Sequence, residues 1–363
     1  MKHLSLALLS LFVFLQLTPN KCAAQESYAF VPAQELSLQG KIATATPGLF
    51  VRLDTSRVKA LPARVQRLSR NTAGMYVDFV TDATSIAVKW TLDEYREMYN
   101  MTPLAINGLD LYGWRDDRWQ YVASVKPVDS VNERNIIRNL DGTRRKYRLH
   151  FPLYTGVTSL EVGVPQGAIL EKPGPQEPLQ KKIVIYGSSI TQGASASRPG
   201  LAYPAILARQ LDVQTFNLGF SGAGKMELEM AKILGELEAD LFVLDCVPNP
   251  SPEQIRERAL PFIQTLRKLR PEVPILMLES VYRERANWDS ETRERVEAQN
   301  MAFREAYQSL QDQGMGELYY IPTGELMGSD HEATIDGTHL NDLGQRRMAE
   351  RVGEEIRKIF GEE

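Results

Sequence analysis

Ser189, Asp336 and His339 are residues whose types and order suit nucleophilic chemistry. A serine hydroxyl is a weak nucleophile and needs a base within hydrogen-bond reach. His339 can supply that base. Asp336, three positions earlier, can hold the imidazole in one tautomer and stabilise the imidazolium. Acyl transfer also needs donors aimed at the developing oxyanion. Gly222 can offer an unobstructed backbone N–H, Asn249 a side-chain amide and Ser189 its own N–H. Three histidines compete as base once the first 24 residues are set aside. His150 lies in a strand-like segment and reads as structural or surface. His331, between Asp330 and Glu332, is a rival base or chance metal ligand, but it lacks the three-residue spacing from an acid, so His339 is favoured.

The elements that must carry these residues are legible. Ile183, Val184, Ile185 and Tyr186 form a short apolar run, as in a parallel strand covered on both faces. Gly187 permits a sharp turn, and Ser188 and Ser189 follow at the carboxyl end, where open α/β sheets place ligands. Further strands are expected at about 213–217, 240–245, 273–279 and 317–321. Helices are expected at about 201–211, 225–238, 252–269, 290–313 and 342–360, with Asn341 as N-cap of the last. Five such βα units imply a parallel sheet with helices on both faces. The loops bearing Ser189, Gly222, Asn249 and His339 then open on one edge of that sheet.

Upstream the pattern is different. Segments 75–80, 85–90, 109–114, 119–125, 145–151 and 159–164 read as short strands, with Arg115-Asp116-Asp117-Arg118 as a hairpin turn. Their succession without long helices predicts an antiparallel sandwich. Three prolines and a glycine in 171–181 mark a linker. The expected division is therefore a leader at 1–24, a β-sandwich at 25–170, the linker, and an α/β domain at 182–363.

Met1-Lys2-His3, an apolar run from Leu4 to Leu17, Pro19 and Cys22-Ala23-Ala24 read as a secretory signal peptide, cleaved before Gln25. The run is short for a membrane span, which argues against an anchor. Export, to the periplasm or beyond, follows as an expectation. Only Cys246 would then remain, so no internal disulfide is expected, and Cys246 reads as a packing residue. The net charge of −4, without a Lys/Arg block, argues against nucleic acid as a partner.

Taken together, the blocks resemble the SGNH (GDSL-type) hydrolases. The serine block is Gly187-Ser188-Ser189-Ile190-Thr191-Gln192-Gly193, the glycine block runs from Asn217 to Gly222, the asparagine block is Val247-Pro248-Asn249, and the Asp-x-x-His block is Asp336 to His339. A narrower likeness is to a mostly bacterial branch with an upstream β domain marked Gly-x-Asp-Leu-Tyr, here Gly108-Leu109-Asp110-Leu111-Tyr112. Ser197 to Tyr203 and Val243 to Asn249 look like the same branch. The resemblance implies a flavodoxin-like doubly wound five-stranded sheet behind a jelly-roll-like sandwich. It implies a serine esterase with Ser189 as nucleophile, Asp336 and His339 completing the triad, an oxyanion hole of Ser189, Gly222 and Asn249, and no cofactor. Two departures bear on loop geometry: Ser188 stands where the wider superfamily has Asp, and Leu340 follows the histidine where proline is common.

The finer expectations have rivals. Removal of O-acetyl groups from carbohydrate is one reading of the substrate, and a lipid or thioester is another. A glycan-binding protein with a lapsed hydrolase domain is a third, opposed by the intact residue set. Tyr95, Tyr99, Tyr112, Trp114, Trp119 and Tyr121 could line a sugar surface, although aromatic residues more often serve as core. Arg198 is a candidate substrate-binding residue and could equally brace the loop after the serine. Glu227 and Glu229 read as carboxylates at a helix start, and Glu279 carries no assigned role. Asp330, His331 and Glu332 are poorly spaced for a closed site, so no metal is expected. Activity is expected to fall on the acid side as His339 protonates, around the free imidazole range of about 6.5.

Overall fold

A computed structural model describes residues 27–42, 50–54, 56–174 and 180–361. The expected signal peptide, with Cys22, lies outside the described residues, as do Pro175 and Pro178 of the linker.

The second half is a five-stranded parallel sheet. Its strands are Lys182–Gly187, Gln214–Gly219, Leu241–Asp245, Ile275–Leu278 and Leu318–Ile321. They lie in the spatial order second, first, third, fourth, fifth, the flavodoxin-like order with its switch point beside the first strand. The period of two along a strand explains why the first strand is apolar throughout. Val184 and Tyr186 enter one core, Ile183 and Ile185 the other, and all four are buried. Burying each of these large side chains contributes about 1.5–3 kcal/mol. Helices Leu228–Gly235, Pro252–Leu269 and Ser290–Asp312 cover the first face. Helices Tyr203–Gln210 and Asp342–Phe360 cover the second. Asn341 caps the last helix, its side chain accepting from the Gly344 amide.

The first half is an antiparallel sandwich. One sheet runs Tyr28–Pro32, Val157–Pro165, Ile86–Leu92, Val131–Ile137. The other runs Leu170–Glu171, Tyr76–Thr81, Arg145–His150, Leu109–Arg115, Arg118–Val125, with Ser37–Gln39 also paired to Tyr76–Thr81. Phe79, Val88, Trp90, Leu111, Leu149 and Val162 share its core. The expected hairpin turns at Asp116 and Asp117, both at positive φ, as a tight two-residue hairpin requires.

The two halves are stitched together along the edge that carries Ser189. Arg52, fully buried, donates from Nη1 to the carbonyls of Asn217 and Gly219 at 2.9 and 2.7 Å. Its other nitrogens reach the carbonyls of Leu68 and Asn71 within its own half. Burial pulls its pKa down to about 9. A mixed apolar cluster joins Met101, Ala105, Ile106, Leu153 and Tyr154 to Ala194, Ala196 and Ala202. These contacts fix loops of the sandwich against loops of the parallel sheet.

Candidate active site

Ser189 opens a one-turn helix, Ser189–Gln192, directly after the first parallel strand. Ser188 caps it, its hydroxyl accepting from the Ile190 amide at 3.2 Å. Ser and Asp are both good N-caps, so the departure at position 188 keeps the local geometry. Gly187 is required by crowding: a Cβ there would lie 1.9 Å from Thr191 Oγ1 and 2.6 Å from the Asp245 carbonyl. In the first turn of a helix an amide has no intrahelical acceptor, so the Ser189 N–H is not committed to the helix ladder.

His339 and Asp336 come from the segment between the fifth strand and the last helix. His339 Nε2 lies 3.0 Å from Ser189 Oγ. His339 Nδ1 lies 2.8 Å from Asp336 Oδ2. The other carboxylate oxygen accepts the backbone N–H groups of His339 and Thr338 at 2.8 and 3.1 Å. Thus the three-residue spacing lets one carboxylate hold both the ring and the backbone of the histidine. Leu340 is fully buried and anchors this segment through a bridge to Thr334. Burial pushes the Asp336 carboxyl up, but the backbone and ring donors of His339 and the Asn100 amide outweigh it and bring the pKa down to about 2. The carboxylate is therefore ionised across the working range, and Nδ1 is the protonated nitrogen of the neutral ring, which leaves Nε2 to accept from Ser189.

Gly222 adopts a left-handed conformation, φ +62°. A Cβ there would meet the Arg64 guanidinium at 2.8 Å, and Arg64 Nε donates to the Ser221 carbonyl at 2.9 Å. Gln192 ties the same loop to the serine helix, accepting the Ser221 amide at 3.0 Å and donating to Asn71 and to the Leu153 carbonyl in the sandwich. The Asn249 amide donates to the Phe220 carbonyl at 3.2 Å and to the Ala223 carbonyl. Asn249 thus grips the glycine loop, and serving an oxyanion would require it to release one of those carbonyls.

The other residues singled out in the sequence have contacts of their own. Arg198 donates to Asp110 Oδ2 at 2.6 Å and to the Tyr112 hydroxyl at 2.5 Å, within the Gly-x-Asp-Leu-Tyr stretch. Those contacts tie the loop after the serine to the sandwich. The aromatic residues form neither a single surface nor a common core: Tyr112 is buried, Trp114 and Trp119 pair across the hairpin, and Tyr95, Tyr99 and Tyr121 are exposed. His150 is buried, and burial together with Arg209, Arg148 and Arg198 pushes its pKa well below the usual imidazole value. His331 pairs with Glu284 and Asp330 with Arg347. Glu227 accepts from the Tyr186 hydroxyl at 2.8 Å rather than merely sitting at a helix start. Glu279 is buried and holds Arg304, Tyr320 and Thr323. Cys246 is a buried free thiol, and burial pushes its pKa well up.

Sequence reasoning missed Asn100 and singled out Tyr99 only for a sugar surface, without its contact to Asp336. Asn100 Nδ2 lies 3.0 Å from Asp336 Oδ2, and the Tyr99 hydroxyl lies 3.4 Å from the same oxygen. Neither residue sits in a periodic element, and the pairing spans more than 230 positions of chain, so no local signal marks it.

Comparison with known proteins agrees with this architecture. Residues 180–357 match the GDSL-like lipase/acylhydrolase family. Residues 28–170 match GxDLY, the N-terminus of SGNH-hydrolase-type esterases. The chain is 41% identical to a crystallised protein from Bacteroides ovatus described as a GDSL-like lipase, over 92% of this chain and 98% of that one, with a TM-score of 0.88. The salicylyl-acyltransferase SsfX3 of a tetracycline biosynthetic pathway shares the fold at 20% identity, 92% and 98% coverage and TM-score 0.74. A family two carbohydrate esterase from Cellvibrio japonicus does so at 12% identity, 93% and 99% coverage and TM-score 0.61. No curated protein matches the chain. The chain belongs to the GDSL-like lipase/acylhydrolase family, in the group of SGNH esterases that carry the GxDLY N-terminal domain.

Proposed function

We propose that this family member is an exported serine esterase that removes small acyl groups, acetyl above all, from carbohydrate. The observation that carries the chemistry is the line Ser189 Oγ, His339 Nε2, His339 Nδ1, Asp336 Oδ2, with consecutive contacts of 3.0 and 2.8 Å. His339 takes the Ser189 proton as the oxygen attacks the ester carbonyl. The Ser189 and Gly222 amides, with Asn249, are the proposed donors to the tetrahedral oxyanion. Collapse expels the alcohol, which takes the proton from His339 and leaves an acyl-serine. Water, activated by the same imidazole, then releases the acid and restores the hydroxyl.

The carbohydrate part is supported by the attached β-sandwich, the signal-like leader and the carbohydrate esterases that share the fold. Acetate release from a panel of acetylated polysaccharides, compared between the protein and its Ser189→Ala variant, tests it. Serine-dependent release from at least one glycan is expected. If none reacts while 4-nitrophenyl acetate is cleaved through Ser189, the esterase stands and the carbohydrate substrate falls. Rates across an ester series from acetyl to dodecanoyl separate the lipid reading, which predicts a maximum at long chains.

A further inference from the structure

We propose that Asn100 of the β-sandwich is a positioning residue of the catalytic machinery, holding the Asp336 carboxylate and setting the charge balance of the Asp336–His339 pair from the other half of the molecule. The proposal rests on the esterase reading above and deepens it.

The geometry is specific. Asn100 Nδ2 lies 3.0 Å from Asp336 Oδ2 and 3.4 Å from His339 Nδ1, so its N–H edge faces the joint between acid and base. The opposite orientation of the amide would set two oxygens against each other, so a carboxylate at 336 selects the donor. Asn100 is buried, with its own Oδ1 left without a partner. A buried, half-satisfied amide costs stability, and the donation to Asp336 offsets that cost.

The side chain is also held. Met101, next in sequence, is buried in the cluster that joins the two halves. Thr102 caps the short helix Pro103–Asn107 and donates to the Ser197 carbonyl at 2.7 Å, just beyond the serine helix. Asn100 is therefore fixed relative to Ser189 and Asp336 by its immediate neighbours. Without the sandwich, Asp336 Oδ2 would keep only its ring partner, and the carboxylate would lose a fixed donor.

The electrical consequence has a sign. The amide's positive edge stabilises the carboxylate and opposes positive charge on the adjacent imidazole. Removing it makes the carboxylate a stronger partner for imidazolium, so the acid limb of kcat/KM moves to higher pH. A second carboxylate at position 100 moves it further the same way. The other charged or titratable groups about the pair are Tyr99 on the sandwich side, and Glu284, Arg285 and His331 on the side of Gly337. All are unchanged in the variants.

The test compares the full-length protein with Asn100→Ala and Asn100→Asp on 4-nitrophenyl acetate from pH 5 to 9, with the His339 ring followed by NMR across the same range. The expected result is a kcat lower by about 10- to 100-fold, part of what a positioned base contributes, with KM little changed. The acid limb and the ring titration should both move to higher pH, more in Asn100→Asp. If Asn100→Ala fails to fold, the isosteric Asn100→Asp decides. A folded variant whose limb and ring titration stay at the wild-type position overturns the proposal, even if its rate has fallen. Failure of the wild-type protein to hydrolyse the ester through Ser189 would instead overturn the esterase reading.

Discussion

His339 Nε2 lies 3.0 Å from Ser189 Oγ, although 150 positions of chain separate the two residues. The contact exists because a strand end delivers the serine and a loop anchored by Leu340 delivers the histidine to the same edge. Its chemical direction is set one bond further on, where the Asp336 carboxylate accepts the Nδ1–H hydrogen bond and keeps the proton on that nitrogen.

That dependence predicts the behaviour of Asp336→Asn. An asparagine amide would donate to Nδ1 and leave the proton on Nε2, where it faces the serine and cannot accept. The expected loss in kcat is on the order of 10⁴-fold, with the fold retained, as read by steady-state kinetics and circular dichroism. A variant within tenfold of wild type would remove Asp336 from the mechanism.

Asn249 has two demands on one amide. It holds the carbonyls of Phe220 and Ala223 and is the proposed side-chain donor to the oxyanion. Asn249→Ala is expected to lower kcat by about 10²–10³-fold, as for loss of one oxyanion donor. Affinity for a transition-state analogue such as a boronic acid should fall in parallel. A fall in thermal stability with unchanged kcat would leave Asn249 as a loop clamp only.

The parallel-sheet half was readable because its three central strands are buried apolar runs and its three longest helices have their own period and cap. The helix Pro252–Leu269 shows this well, with Ser251 and Gln254 closing its start reciprocally. The sandwich was harder. Val131–Ile137 carries polar Asn132, Glu133, Arg134 and Asn135 through its middle, so neither alternation nor apolar content announces it. Tyr28–Pro32 is short and ends in proline. Within the site, Ser189, Asp336 and His339 have blocks of their own in sequence. Asn100 and Arg52 do not, since their partners lie across the interface and are set by tertiary packing alone. Arg198 was open between binding and bracing because its partner, Asp110, is buried in the other half.

Breaking that pair gives a stability prediction. Asp110 is completely buried, and burial pushes its carboxyl up against the pull of Arg198 and the Gly200 amide. Arg198→Ala leaves that carboxyl without its cation and is expected to cost about 3 kcal/mol in denaturant unfolding, with Asp110→Asn in the same chain recovering part of the loss. A rise in KM with unchanged stability would return Arg198 to substrate binding.

Asp245 supplies a pH dependence of stability. It is fully buried beneath the serine helix, with Thr191 and Tyr203 donating to one oxygen at 2.5 and 3.0 Å. Burial raises its pKa to about 7 against those hydrogen bonds, whereas an unfolded aspartate titrates near about 3.9. Between these values the folded protein keeps a proton that the unfolded chain has released. This contribution is therefore full below about pH 4 and is lost as pH rises through about 7. Wild type should lose Tm between pH 5 and pH 8 relative to Asp245→Asn. Parallel Tm curves for the two proteins would show that the carboxyl does not titrate in this range.

The most direct test of the central claim is the rate of 4-nitrophenyl acetate hydrolysis by the protein and by Ser189→Ala, with intact mass measured on acid-quenched samples. The account predicts a loss of about 10⁴-fold or more in kcat, an unchanged fold, and an added acetyl mass on the wild-type chain that is missing from the variant. A Ser189→Ala protein that still turns over at the wild-type rate would contradict it.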